Sequence, residues 1–173
     1  MKIAILSDIH DHIWNLDKVL TKVKDKVKAI IFCGDMCAPF TAGNLAKAGV
    51  PTYVCLGNGD EDQIGSLQRA LEVIKISGGK MHWIPLTEEF GKVVVDGKKI
   101  AFCHYPKLGE LLAKTGDYDA VFHGHTHVSK SETFGKTLLV NPGAVCGIQK
   151  GQPGIASYSI YDTTTHTSKI IEI

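Results

Sequence analysis

Five short apolar runs in this chain each give way to residues that commonly ligate metals, and this repeat constrains the fold more than any other feature. Lys2 to Leu6 leads into Ser7-Asp8-Ile9-His10, and Ala29 to Cys33 leads into Gly34-Asp35. Thr52 to Leu56 leads into Gly57-Asn58-Gly59-Asp60, Ile100 to Cys103 into His104, and Ala120 to Phe122 into His123-Gly124-His125-Thr126-His127. Runs of this length, rich in Ile, Val and Phe, read as β-strands. In α/β sheets, ligand sites collect outside the carboxyl ends of the strands. Five such ends can therefore converge, and the imidazoles and carboxylates they carry suit a divalent cation.

The segments between the runs fix the layers. Asn15 to Val27 places Leu16, Val19, Leu20, Val23 and Val27 at helical spacing. Ala38 to Ala48 opens a second, poorer helix at Pro39, and Asp60 to Ile76 forms a third, stopped by Ser77-Gly78-Gly79. Strand and helix alternate up to this point, which favours a parallel βαβ core. The second half changes rhythm. Val93 to Ile100 is a hairpin on Asp96-Gly97, Thr133 to Val140 turns at Gly135, and Ala156 to Asp162 pairs with Ser168 to Ile173. Lys107 to Lys114 supplies one short helix, and Gly143 to Gly154 reads as one long loop. The pattern predicts an α/β fold, a four-layer α-β-β-α sandwich of two mixed sheets flanked by helices.

At 173 residues the chain is long enough for one well-buried core and short for two, so residues 1–173 are expected to form a single domain. The formal net charge is +1, and Arg69 is the only arginine, so no cationic footprint for nucleic acid is expected. The lysines around the first helix form a solvated face. No stretch approaches the roughly 18 to 20 apolar residues of a spanning helix, and Met1-Lys2 runs straight into a strand. A cytoplasmic location without membrane association is the expectation. Cys33, Cys55 and Cys103 lie inside apolar runs and read as small buried hydrophobes rather than a disulfide framework.

Asp8 and His10 stand two residues apart, as do His125 and His127. In extended backbone each pair projects to one side and spans about 6.6 Å. That exceeds the roughly 3.5 to 4 Å between ions of a two-metal site, so the members of a pair can serve one ion each. Asp35, directly after Gly34, is the candidate bridging carboxylate, and the Asn58 carbonyl oxygen can join a site already rich in imidazole.

Asp8-x-His10, Gly34-Asp35, Gly57-Asn58-x-Asp60, His104 and Gly124-His125-x-His127 resemble, in order and spacing, the calcineurin-like metallophosphoesterases, with the length of the small YfcE-type phosphodiesterase branch. The match extends to Asn141-Pro142-Gly143. The resemblance implies that Asp8, His10, Asp35 and His127 hold one metal and Asp35, Asn58, His104 and His125 the other. Manganese, iron, zinc or nickel are the metals implied. It further implies a small phosphoester substrate, a phosphodiester in this branch, attacked in line by a metal-bridging hydroxide, and an assembly up to a homo-dimer or homo-tetramer. His123 lies outside the family pattern and is read as structural.

One position departs from that pattern. The family usually carries His after Asn58, where it contacts the phosphate and helps protonate the leaving group; here the residue is Gly59. His12, Asp11, Asp60 or solvent are the candidate proton sources, with activated or aryl phosphodiesters favoured. Asp60 has a simpler role available, as the partner that fixes the tautomer of a metal-ligating His. The reading from a different class is a catalytically weak metal-binding scaffold on the same fold.

Overall fold

The computed structural model describes residues 1–85 and 87–173. In chain order the elements are β1 (Lys2–Leu6), α1 (Ile13–Val23), β2 (Ala29–Cys33), α2 (Pro39–Ala46), β3 (Thr52–Cys55), a 3-10 helix (Asn58–Gln63), α3 (Ile64–Ile76) and β4 (Met81–Trp83). There follow β5 (Gly91–Val95), β6 (Lys98–Phe102), α4 (Pro106–Thr115), β7 (Ala120–Phe122), β8 (Lys130–Phe134) and β9 (Thr137–Asn141). The last four strands are β10 (Ile148–Gln149), β11 (Gln152–Pro153), β12 (Ser157–Asp162) and β13 (Thr167–Glu172).

One sheet runs β13-β12-β1-β2-β3-β4 and the other β5-β6-β7-β9-β8. In the first, β1 to β4 are parallel and β12 and β13 antiparallel; in the second, β6, β7 and β9 are parallel and β5 and β8 antiparallel. Strand pleating sorts the side chains into three apolar layers. Ile3, Ile5, Ile31 and Cys33 meet Ile100, Phe102, Phe122, Val140 and Tyr161 between the sheets. Ala4, Leu6, Ile30 and Phe32 face the opposite way, against Leu16 and Val19 of α1, Leu45 of α2 and Leu67 of α3. Ala101, Cys103, Val121 and Leu139 cover the outer face of the second sheet with Leu112 and Ala113 of α4. Because strands buried on both faces have no polar side, the parallel strands read as continuous apolar runs. The α-β-β-α sandwich expected from the sequence is the fold observed. Among the described residues, no helix is long and apolar enough to cross a membrane.

The local differences have local causes. Helix α1 ends at Val23 rather than Val27, because Lys24 leaves helical geometry and Asp25 turns left-handed at φ 60°. Val27 still packs in the core, reached by a turn instead of by helical continuation. The start of the third helix is 3-10, not α, through Gln63. Strand β4 is three residues long, too short to show a period. The Gly143 to Gly154 segment is not one irregular loop: Lys150 and Gly151, both at positive φ, close a small β10–β11 hairpin.

Candidate metal centre

The parallel strands of both sheets end at the same edge, and after β1, β2 and β7 the chain turns through left-handed residues. Asp8, His10, Asp35, His125 and His127 have φ of 54°, 43°, 63°, 71° and 59°. Such conformations cost on the order of 1–3 kcal/mol each for non-glycine residues and cluster at functional sites. The expectation that Asp8-x-His10 and His125-x-His127 are extended is therefore corrected: both pairs lie on turns. The turns are held by backbone bonds between strand ends, Asp8 N–H to the Gly34 carbonyl and His10 N–H to the Asp35 carbonyl at 3.0 Å each, and Cys146 N–H to the Asp8 carbonyl at 3.0 Å.

These turns deliver the side chains in two groups. In one, His127 Nε2 lies 3.2 Å from Asp8 Oδ1 and 3.2 Å from His10 Nε2, with His10 Nε2 3.9 Å from Asp8 Oδ1. In the other, Asn58 Oδ1 lies 3.1 Å from His104 Nε2 and 2.9 Å from His125 Nδ1, the two imidazole nitrogens being 3.2 Å apart. Asp35 Oδ2 stands between the groups, 3.4 Å from His10 Nε2 and 3.5 Å from His104 Nε2. Its other oxygen accepts the Gly59 N–H at 2.7 Å. Asp8, His10 and His127 have ligand atoms close enough to share one ion, as do Asp8, Asp35 and His104.

The donor set fits a divalent cation. Asp8 Oδ1 is buried without a hydrogen-bond partner, although His127 Nε2 approaches it to 3.2 Å; the contact has the distance of an N–H···O bond but not its alignment, as when two lone pairs face a common point. Asp8 Oδ2 is engaged, accepting the His125 N–H at 3.0 Å. Two imidazoles are also turned the right way by their second nitrogens. His104 Nδ1 donates to the Cys33 carbonyl at 2.8 Å, and His127 Nδ1 to the Ile148 carbonyl, leaving both Nε2 lone pairs free for a metal. His10 Nδ1 faces the Cys37 thiol at 3.4 Å.

Two candidates have other partners. His12 is the N-cap of α1, its Nδ1 accepting the Asn15 N–H at 3.3 Å, and it bonds to none of the seven residues above. Among the described residues Asp60 has no imidazole partner, so its expected part in fixing a histidine tautomer is corrected. Its fully buried carboxylate instead accepts three backbone N–H groups, from Asp35 at 2.9 Å, Cys37 at 2.7 Å and Gly57 at 2.9 Å. It ties the turn after β2 to the turn after β3. His123 is buried beneath the loop, with Nδ1 against the Gly124 carbonyl.

Asn141, the first residue of the Asn141-Pro142-Gly143 turn, organises the histidine loop. Its Nδ2 donates to the Gly124 carbonyl and to Thr126 Oγ1, and its Oδ1 accepts the Gly143 N–H, each at 2.9 Å. Its place at the end of β9, matching the other strand ends, is the signal that could have found it.

The charges give a pH dependence with a definite sign. The Asp8 carboxylate beside His127 holds that imidazole above its usual range, against the effect of burial. Burial is the largest influence on Asp8 and raises its pKa, but His127, His104 and Ser7 together outweigh it and hold Asp8 below the carboxylate range. A raised imidazole pKa stabilises the fold below the unfolded value and is lost as pH rises through the folded one; a depressed carboxyl pKa contributes above the unfolded value and is lost as pH falls through the folded one. In metal-free protein both contributions overlap at roughly pH 4 to 6.5. Urea midpoints of chelator-treated protein are expected to rise from pH 8 to pH 5.5 relative to Asp8→Asn; a constant difference between the two proteins would show the pair uncoupled.

With this geometry in hand, known proteins supply the context. The calcineurin-like phosphoesterase superfamily domain matches residues 1–166. Phosphodiesterase MJ0936 of Methanocaldococcus jannaschii is 32% identical over 158 residues, covering 90% of each chain. The solved structure of a novel archaeal phosphodiesterase superposes with a TM-score of 0.85 at 30% identity over 100% of both chains. YfcE, a phosphoesterase from E. coli, shares the fold at a TM-score of 0.64 and 19% identity, again over 100% of both chains. Matched along nearly its whole length, the chain belongs to the calcineurin-like phosphoesterase superfamily.

Proposed function

We propose that this protein is a phosphodiesterase acting on small phosphodiesters at a two-cation centre, with Asp8, His10, Asp35 and His127 holding one ion and Asp35, Asn58, His104 and His125 the other. The observation that carries the reading is the position of Asp35 Oδ2, 3.4 Å and 3.5 Å from imidazoles of the two separate groups. Nitrogen and oxygen donors without thiolate suit manganese, with iron, zinc and nickel also accommodated. When bound, a cation pair supplies a water of lowered pKa as nucleophile and neutralises charge on the phosphate oxygens.

The remaining work falls to the chain. Asp8 and Asp35 place two carboxylates against four imidazoles, so the centre with its ions is cationic and draws a phosphate anion. The carbonyls of Cys33 and Ile148 keep His104 and His127 in one tautomer, and Asn141 holds the loop that carries His125 and His127. Gly59 offers a backbone N–H, already bound to Asp35, where the family places a histidine side chain. A diester, with one anionic charge, makes the smaller demand on extra cationic groups than a monoester with two.

Bis-p-nitrophenyl phosphate is expected to turn over with manganese, to cease with chelator and to resume when manganese is restored, with two ions per chain by elemental analysis. Absence of turnover with manganese, iron, zinc and nickel alike would leave a metal-binding scaffold as the better reading.

A further inference from the structure

If the centre cleaves phosphodiesters as proposed, the departing oxygen needs a proton, and Gly59 cannot deliver one. A Cβ built at Gly59 lies 3.2 Å from the Asp35 carboxylate and 3.2 Å from Cys37 Sγ, so a side chain there would require these neighbours to give by a few tenths of an ångström. The sequence candidates are engaged elsewhere. His12 caps α1 through Nδ1 and packs edge-on against Trp14, with no hydrogen bond to any of the seven site residues. Asp11 accepts from the Ala38 N–H at 2.9 Å and from Thr41 Oγ1 at 2.6 Å at the start of α2. Asp60 is fully buried with both oxygens on backbone N–H groups.

Tyr105 remains, immediately after His104. Its ring packs edge-on to His104 with centroids 5.2 Å apart and leans on His125 at 5.2 Å, while 43% of the residue stays exposed. Its backbone is fixed as the N-cap of α4 by Pro106 and by the Gly109 N–H bond to its carbonyl. A tyrosine phenol ordinarily keeps its proton throughout the neutral range.

We propose that Tyr105 is the general acid of this enzyme, its hydroxyl doing from the end of β6 what the family's histidine does from the end of β3. As the bond between phosphorus and the leaving oxygen breaks, its electron pair goes to that oxygen, which takes the phenolic proton. The phenolate then recovers a proton from solvent, matching the one released when water becomes the attacking nucleophile. The role predicts a dependence on the leaving group, because an aryl oxide departs without help and an alkoxide does not.

The test compares Tyr105→Phe with wild type on two diesters, one losing p-nitrophenolate and one losing a simple alkoxide, in manganese. Phe keeps the ring against His104 and His125. The ratio of alkyl to aryl kcat is expected to fall by about 10²-fold, the lower range for a general acid, with metal content unchanged. Equal losses on both diesters would assign Tyr105 to packing or substrate stacking, and no loss would exclude it; either overturns the proposal. Wild-type protein inactive on both diesters with every metal overturns the phosphodiesterase reading itself.

Discussion

Asp35→Asn is expected to lower turnover of bis-p-nitrophenyl phosphate by about 10³-fold or more while leaving the fold in place. Asp35 Oδ2 lies near imidazoles of both groups, at 3.4 Å and 3.5 Å. A catalytic cation contributes several kcal/mol of charge stabilisation in the transition state, and each 1.36 kcal/mol is tenfold in rate, so roughly 10³ follows from weakening the centre at its shared ligand. The amide has no good orientation. With its NH2 toward Gly59 it sets two donors against each other, where the carboxylate now accepts at 2.7 Å; turned over, it aims N–H at the ligand position and removes a charge. Elemental analysis of manganese-loaded protein and kcat/KM check this together. A variant that holds two ions and turns over within tenfold of wild type would remove Asp35 from the bridging position.

Gly57→Ala is expected to damage both the centre and the fold, from a single added methyl group. Gly57 sits at φ −120° and ψ −178°, extended backbone open to any residue, so the constraint is space alone. A Cβ there lies 2.1 Å from Asp35 Oδ1, 2.8 Å from the Asp35 backbone nitrogen and 2.8 Å from His104 Cε1. Side-chain rotation relieves only part of this, because one obstacle is backbone and the His104 ring is pinned to the Cys33 carbonyl. Parting the turns also strains the Asp60 carboxylate, which bridges the N–H groups of Gly57 and Asp35. Overpacking of this kind costs about 1–3 kcal/mol, and displacing Asp35 and His104 adds a loss of turnover near that of Asp35→Asn. Urea denaturation and manganese-dependent activity measure the two effects. A variant with wild-type midpoint and activity would show that the turns after β2 and β3 can separate freely.

Much of the fold was legible because the central strands are buried on both faces. Lys2 to Leu6, Ala29 to Cys33 and Ala120 to Phe122 leave the sequence no polar side to alternate, and their boundaries came through unchanged. Boundaries set by a left-handed residue were less legible. Val27 keeps the helical stripe of α1 although Asp25 has already broken the helix, since hydrophobic spacing reports burial and not hydrogen bonding. At the candidate centre, the residue types and the strand ends were visible, and the conformation was not. Asp8 and His10 converge through left-handed turns rather than the extended geometry their spacing suggested. Asp60 carries a metal-type side chain but is spent on three backbone donors, a role visible only once the turns after β2 and β3 are adjacent.

By itself, then, the sequence determined the layers and the edge at which the polar residues gather. Both follow from burial and chain direction, and each strand carries that information locally. The tertiary structure decided where lone pairs and protons point. Whether Asp35 faces two imidazole groups, whether the phenol of Tyr105 leans over His125, and whether Asn141 holds the histidine loop all depend on atoms from strands far apart in the chain. Hydrogen-bond and ligand geometry is sensitive to fractions of an ångström and to bond angle, whereas hydrophobic burial is not directional. A pattern of residue types can therefore encode the second and leave the first to packing.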